Sequence, residues 1–262
     1  MGLTQLNFAG LNKVEVAIAR LKEFEPLTKG EGFYFADSYG KDSCVCLRLL
    51  EMSKVKFEIH HSHTGLDAPE LVKFGRKNHF GVIEEKPTIT FWKALLSAHM
   101  RLPQRQQRWC CELLKEGGGG GRYVVTGIRW EESGRRAKRR IIEVCRRDKT
   151  KIFVNPIIDW TGKEVWEFIH SENIPYCSLY NEGFKRLGCV LCPMVGGREL
   201  RIQIERFPKQ VEAWHRASLR LYDVMLSKHS VHWQSGEEMW QWWLSRKGEP
   251  KINDAQCMMF DN

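Results

Sequence analysis

A short apolar run, Phe33-Tyr34-Phe35-Ala36, ends in Asp37-Ser38-Tyr39-Gly40-Lys41-Asp42-Ser43, and a helical pattern follows at once. A strand that turns through a glycine straight into a helix is a strong constraint. It places backbone amides and the positive end of a helix dipole where an anion rests, with a lysine beside them. Each residue of the loop has a chemical reading. Gly40 permits close backbone approach, Tyr39 completes the turn, and Ser38 and Ser43 offer hydroxyls. Lys41 neutralises charge that builds on a departing phosphate group. Asp42 either orients the loop or holds Mg²⁺. The Gly-x-x-x-x-Gly-Lys spacing of a Walker A loop is absent, so this is a phosphate loop of another kind.

The pattern around the loop fixes the fold class. Strands are expected at Phe33–Ala36, Val55–His60, Tyr123–Ile128 and Ile152–Val154. Helices are expected over 12–25, Ser43–Met52, Pro69–Asn78 and Phe91–Met100, with Asn12 and Glu15 at capping-box spacing. Alternation of short apolar strands with helices predicts an α/β fold, a mostly parallel sheet with helices on both faces. Ligands of such sheets bind beyond the carboxyl ends of the strands, where both the Ser38–Ser43 loop and Thr126-Gly127-Ile128-Arg129 emerge. Thr161 with Glu164 predicts a further capped helix. From about residue 200 only helices are expected, Pro208–Leu226 and Ser235–Lys247. Residues 1–199 therefore read as the nucleotide-binding α/β domain and 200–262 as a helical extension. The tryptophans Trp214, Trp233, Trp240, Trp242 and Trp243 read as packing of that extension rather than as a base-stacking platform.

Composition narrows the function classes. Hydrophobic residues make up 42%, enough for a packed core. No apolar run approaches the roughly 18 residues of a membrane span. Met1 to Leu6 lacks a signal-peptide core, so no membrane and a cytoplasmic location are expected. Lys and Arg total 41 against 32 Asp and Glu. The excess gathers at Arg135, Arg136, Lys138, Arg139, Arg140, Arg146 and Arg147. A polyanion such as nucleic acid, one small anionic substrate and a solvated basic face all fit that charge.

Three further groups carry chemistry. His61-Ser62-His63-Thr64-Gly65-Leu66-Asp67-Ala68-Pro69-Glu70 closes the second strand. No thiolate or carboxylate near it has zinc-site spacing, so His63, Thr64 and Asp67 read as hydrogen-bonding groups rather than zinc ligands. Nine cysteines in a cytosolic chain point to metal or redox use rather than disulfides. Adjacent Cys110-Cys111 are too strained for an easy disulfide, yet with Cys189-x-x-Cys192 they offer four thiolates. That set suits a [4Fe–4S] cluster or a tetrahedral Zn²⁺. In Gly127-Ile128-Arg129-Trp130-Glu131-Glu132-Ser133-Gly134-Arg135-Arg136, the guanidiniums of Arg129 and Arg136 suit bidentate oxyanion binding.

These motifs, in this order from residue 33 to 194, resemble the phosphoadenosine-phosphosulfate (PAPS) reductase family. Its pyrophosphate-binding loop (PP-loop) is shared with enzymes that split ATP between the α and β phosphates. The Ser-Tyr-Gly-Lys-Asp-Ser loop, the His63-Thr64-Gly65-x-x-x-Pro69-Glu70 element (histidine at the usual aspartate position), Gly127-Ile128-Arg129 through Arg136, and the two cysteine pairs each have a counterpart. The resemblance implies an adenine nucleotide alpha-hydrolase-like fold and favours iron over zinc at the cysteines.

It leaves the reaction open. Reductases of the family usually lack the Lys-Asp pair and carry a nucleophilic cysteine in a Glu-Cys-Gly-x-His tail. Here Lys41 and Asp42 are kept, and the tail cysteine stands in Ala255-Gln256-Cys257-Met258-Met259. Iron–sulfur members of DNA phosphorothioation systems and phage-encoded relatives fit that pattern better. The first expectation is an ATP pyrophosphatase that uses ATP with Mg²⁺ to adenylate a nucleic-acid oxygen, in DNA or tRNA, for sulfur transfer. A cysteine desulfurase or another modification-system protein would then be a partner. The second is a sulfonucleotide reductase with Cys257 as nucleophile. The third is a non-catalytic subunit that binds nucleotide and cluster.

Overall fold

The computed structural model describes Leu3, residues 12–228 and residues 231–247. Cys257 and, Leu3 apart, the N-terminal hexapeptide lie outside the described residues. In chain order the elements are α1 (Lys13–Phe24), β1 (Phe33–Ala36), α2 (Lys41–Ser53), β2 (Phe57–Ser62), α3 (Pro69–Asn78) and β3 (Ile83–Glu85). Next come α4 (Phe91–Ala94), which runs on as a π-helical turn over Leu95–His99, then α5 (Trp109–Lys115), β4 (Tyr123–Val125), β5 (Ile142–Val144) and β6 (Ile152–Val154). The chain continues through α6 (Gly162–Ser171), α7 (Gly197–Arg206), α8 (Pro208–Leu226) and α9 (Gly236–Ser245).

Two compact units share these elements, Met1–Pro87 with Leu114–Gly188, and Thr88–Leu113 with Cys189–Asn262. The division differs from a break near residue 200. Residues 88–113 group with the C-terminal helices because their aromatics pack there: Phe91 and Trp214 have ring centroids 4.7 Å apart, and Trp214 stacks on Trp243 at 4.7 Å. Trp214, Trp233, Trp240 and Trp243 are buried, which fits packing of an appendage.

The first unit holds one six-stranded sheet in the order β3-β2-β1-β4-β6-β5. All its pairings are parallel except β5 with β6. Phe33, Tyr34 and Phe35 are all buried. Successive strand residues point to opposite faces, so both faces of β1 are covered, as a central parallel strand requires. On one face Phe33 and Phe35 join Ala17 and Leu21 of α1, Val45 and Leu49 of α2, and Val165 and Phe168 of α6 in the main core. The chain leaves β1 for β2 and β3 on one side, then returns to β4 on the other. β1 and β4 thus flank the point where strand order reverses, and ligands of open α/β sheets bind outside the carboxyl ends there.

A buried ion pair ties α1 to α6. Lys13 Nζ lies 2.8 Å from Glu164 Oε2, both side chains almost fully covered, and also donates to the Asp159 carbonyl at 2.9 Å. Burial alone would raise the Glu164 carboxyl, but Lys13 and Thr161 hold it below the usual range. The contribution is therefore present above the ordinary glutamate range and lost as pH falls through the depressed value. Lys13→Met is expected to destabilise the protein by about 3 kcal/mol, because it leaves a buried carboxylate without its cation. Urea unfolding checks this; Lys13→Met combined with Glu164→Gln should recover part of the loss.

Candidate functional site

The loop after β1 is braced from below by buried polar groups. Tyr39 takes a left-handed φ of 59°, costly for a residue with a side chain. Asp37 Oδ1 accepts its N–H at 2.8 Å, and Asp37 Oδ2 meets His79 Nδ1. His61 Nδ1 donates to the Asp37 carbonyl at 2.9 Å, and the His61 and Tyr39 rings stack at 3.8 Å. Burial lowers the His61 pKa, favouring the neutral ring that this tautomer needs. Gly75 on α3 gives the Tyr39 ring its space: a Cβ there would stand 2.3 Å from the ring.

Above this base the loop opens α2. Gly40 is the N-cap residue and, having no side chain, supplies no cap of its own. Ser38 and Ser43 pair their hydroxyls at 2.9 Å, and the Ser38 N–H donates to Ser43 Oγ at 3.2 Å, so both serines shape the loop. The Lys41 N–H donates to the Tyr180 hydroxyl at 3.0 Å. Lys41 Nζ sits 2.7 Å from Asp42 Oδ2, and Arg129 Nε sits 2.7 Å from Asp42 Oδ1. Asp42 is thus the joint between the loop after β1 and the segment after β4. Of the two roles the sequence offers Asp42, this geometry is that of an orienting carboxylate. Gly127 makes the approach feasible, since a Cβ there would lie 3.0 Å from the Asp42 backbone. Arg129 is buried and also donates to Glu131 Oε2 at 2.9 Å and to the Trp160 carbonyl at 3.3 Å.

Arg136 pairs with Glu132. Its guanidinium is pulled down to about 10 by burial first and then by Arg186, with Asp42 opposing. Arg129, Arg136 and Arg186 therefore gather positive charge around Asp42 and Lys41. His63 donates its backbone N–H to the Glu85 carbonyl at 2.8 Å, and its Nδ1 is buried without a hydrogen-bond partner among the described residues. Thr64 Oγ1 donates to Asp67 Oδ2 at 2.7 Å, and Lys115 lies 3.6 Å from Asp67 Oδ1.

The structure adds residues that the sequence does not single out. Tyr180 and Arg186 lie in the stretch leading to Cys189 with no periodic signal to mark them. Asp37 and His79 act from beneath, and only the polar Asp37 at a strand end hints at it.

The four cysteines belong to the second unit. None is in a disulfide; Cys110 is buried and the other three are half-buried. The Cys110 thiol is pushed up by its hydrogen bond with Cys111, then by burial, then by the fields of Cys111, Cys189 and Cys192. Both pairs thus act on one sulfur. Among the described residues no group of three or more His, Cys, Asp or Glu is arranged to hold a metal ion as it stands. Four thiols, three of them acting on Cys110, are nonetheless the donor chemistry of a [4Fe–4S] cluster or a tetrahedral zinc, and metal binding commonly completes such a site. On that ground the donor set fits. The Cys-x-x-Cys turn has Leu191 at φ 58°, with the Cys192 N–H donating to the Cys189 carbonyl at 3.3 Å. Arg246 lies against it; burial pulls its guanidinium down to about 10, still charged at neutral pH. Among the described residues no helix is long and apolar enough to cross a membrane.

Comparison with known proteins agrees with this fold. The family model for the phosphoadenosine phosphosulfate reductase domain matches residues 33–195. An uncharacterized protein of Methanocaldococcus jannaschii is 31% identical over 222 residues, covering 79% of this chain and 45% of that protein. A second from the same organism is 28% identical over 211 residues, covering 76% and 51%. The chain therefore spans about half the length of these two relatives. An adenosine 5'-phosphosulfate reductase of Geobacillus kaustophilus is 29% identical over 186 residues, covering 66% and 78%. Among solved structures, the PAPS reductase from Candida auris in its phosphate complex superposes with a TM-score of 0.52 at 18% identity. It covers 72% of this chain and 98% of that one, a likeness of fold. With the model spanning well over half of its residues, the chain belongs to the phosphoadenosine phosphosulfate reductase domain family.

Proposed function

We propose that the first unit binds ATP with Mg²⁺ and cleaves it between the α and β phosphates to adenylate a substrate oxygen for replacement by sulfur. The observation that carries this reading is the Lys41–Asp42–Arg129 chain at the start of α2, with Lys41 Nζ and Arg129 Nε each 2.7 Å from the same carboxylate. Two fixed cations at a helix N-terminus suit the charge that gathers on pyrophosphate as it leaves. The substrate oxygen attacks the α-phosphorus while the bond to the bridging oxygen breaks, and pyrophosphate departs with the electron pair. Arg129 and Arg136 hold the anionic groups in line. The terminal sulfur of a cysteine desulfurase persulfide then displaces AMP, forming carbon–sulfur or phosphorus–sulfur in place of the bond to oxygen. A thiol reductant cleaves the remaining sulfur–sulfur bond, releasing the thiolated product and the desulfurase cysteine. The excess of Lys and Arg, 41 against 32, supports DNA or tRNA as the acceptor.

Cys110, Cys111, Cys189 and Cys192 would hold a [4Fe–4S] cluster, with zinc the lesser fit. When bound, such a cluster supplies one-electron chemistry or a place to hold sulfur. Within the family, the relatives named as adenosine 5'-phosphosulfate reductases favour a second reading, release of sulfite from a sulfonucleotide.

Anaerobically purified protein given ATP, Mg²⁺, nucleic acid and a sulfur donor should release pyrophosphate. Given PAPS or adenosine 5'-phosphosulfate and a thiol reductant instead, it should release no sulfite. Sulfite without pyrophosphate would reverse the order of the two readings; neither product would sink both.

A further inference from the structure

The second unit contains a guanidinium that the nucleotide chemistry does not use. Arg246 caps α9 with a left-handed φ of 58°. Its Nε donates to the Val195 carbonyl at 3.1 Å, and Nη2 donates to the carbonyls of Leu191 at 3.0 Å and Cys192 at 3.4 Å. Nη1 returns to the Trp243 carbonyl at 3.2 Å, and the guanidinium carbon lies 4.2 Å from the Trp243 ring centroid. One side chain thus laces three carbonyls of the turn that carries Cys189 and Cys192. That turn needs an external brace: it is short, irregular, and holds the buried Leu191 in a left-handed conformation.

The same helix reaches toward the other cysteine pair. Trp243 Nε1 donates to the Pro103 carbonyl at 2.8 Å. Through Trp214 and Phe91 the aromatic stack continues to Trp109, 5.2 Å from Phe91 and adjacent to Cys110. Both halves of the cysteine set are therefore tied to the last turn of α9. Metal-bound thiolates bring negative charge into a half-buried place, and partners behind the ligands orient them and tune the metal. A planar fork over an indole is well suited, because it stays charged and its geometry is fixed.

We propose that Arg246 is a positioning residue for the four-cysteine site, bracing the Cys189–Cys192 turn and setting a permanent positive charge beside the thiolates. The proposal rests on the reading that these cysteines hold metal. In the full chain purified without oxygen, wild type, Arg246→Gln and Arg246→Lys are compared for iron content, rate of iron loss to a ferrous chelator, and midpoint potential by redox titration followed by EPR. Arg246→Gln should lose iron about tenfold faster, the usual size of an outer-shell effect. Its midpoint should move to more negative potential, since a nearby cation favours the reduced cluster. Arg246→Lys should restore the potential, by keeping the charge, but not the retention, by losing the fork. A purely structural role would not separate these two readouts.

Folded Arg246→Gln protein with wild-type iron loss and potential overturns the proposal. If Arg246→Gln fails to fold, Arg246→Lys carries the test, and wild-type iron loss in it overturns the proposal. Wild type holding zinc and no iron sinks the cluster reading alone; Arg246 is then judged by the same tenfold expectation for zinc release. Wild type with neither metal overturns both.

Discussion

Lys41→Ala is expected to slow pyrophosphate release by about 10²- to 10³-fold, the cost of losing one well-placed group that stabilises transition-state charge. The fall should appear mainly in kcat, because the ammonium is needed most as charge collects on the leaving pyrophosphate. Two effects compete in the variant. Losing the cation removes stabilisation of the leaving group, while Asp42 is freed from one of its two partners and can shift toward Arg129. The second effect is smaller, since the 2.7 Å contact with Arg129 already holds the carboxylate. Lys41→Arg should recover only part of the rate, as a planar fork does not occupy the place of a compact ammonium. Steady-state pyrophosphate assays with thermal melts as a folding control decide the matter. A kcat within about threefold of wild type would remove Lys41 from the chemistry.

The second large effect is expected far from any reacting atom. Gly75→Ala places a methyl 2.3 Å from the Tyr39 ring, which is itself stacked on His61 at 3.8 Å. Helix propensity alone favours alanine over glycine by about 1 kcal/mol. Overpacking a closed site costs about 1 to 3 kcal/mol. Because both the ring and its neighbour are fixed, the larger figure should win. The net loss of about 2 kcal/mol corresponds to a fall of roughly 4 to 8 °C in Tm. Nucleotide affinity should drop as well, since Tyr39 belongs to the loop. A rise in Tm would mean that the ring does not fill the space facing Gly75.

Local signals in the sequence were sufficient where the structure is local. Both capping boxes form, Asn12 with Glu15 and Thr161 with Glu164. The strands Phe33–Ala36 and Ile152–Val154 and the helices Pro69–Asn78 and Pro208–Leu226 keep their expected bounds. Elements that depend on distant partners were less legible. β3 and β5 are three residues long, each with a glutamate at the centre, so neither shows a periodic pattern; pairing to β2 and β6 is what makes them strands. The second strand runs Phe57–Ser62 rather than Val55–His60, and the fourth stops at Val125, where the chain turns toward Asp42. α5 and α7 carried no cap signal strong enough to announce them. The helix expected over Phe91–Met100 changes to a π-helical turn at Leu95.

The candidate site divides the same way. Strand, turn and helix spelled out the loop. The Arg129–Asp42 bridge spans 87 positions, and the support of Tyr39 by Asp37, His61 and His79 joins three separate segments. No spacing rule encodes such meetings, because side chains far apart in sequence are brought together only by the sheet order.

The interleaving of the two units has a thermodynamic corollary. Cys111 lies just before the chain passes into Leu114–Gly188, and Cys189 lies just after it leaves. A metal held by both pairs would tie off that entire stretch, with β4, β5, β6 and α6 inside the closed loop. Closing a long loop removes conformations chiefly from the unfolded chain, so the benefit grows with the logarithm of its length. An ion bound in one unit would thereby raise the free energy of unravelling the other, acting through chain connectivity alone.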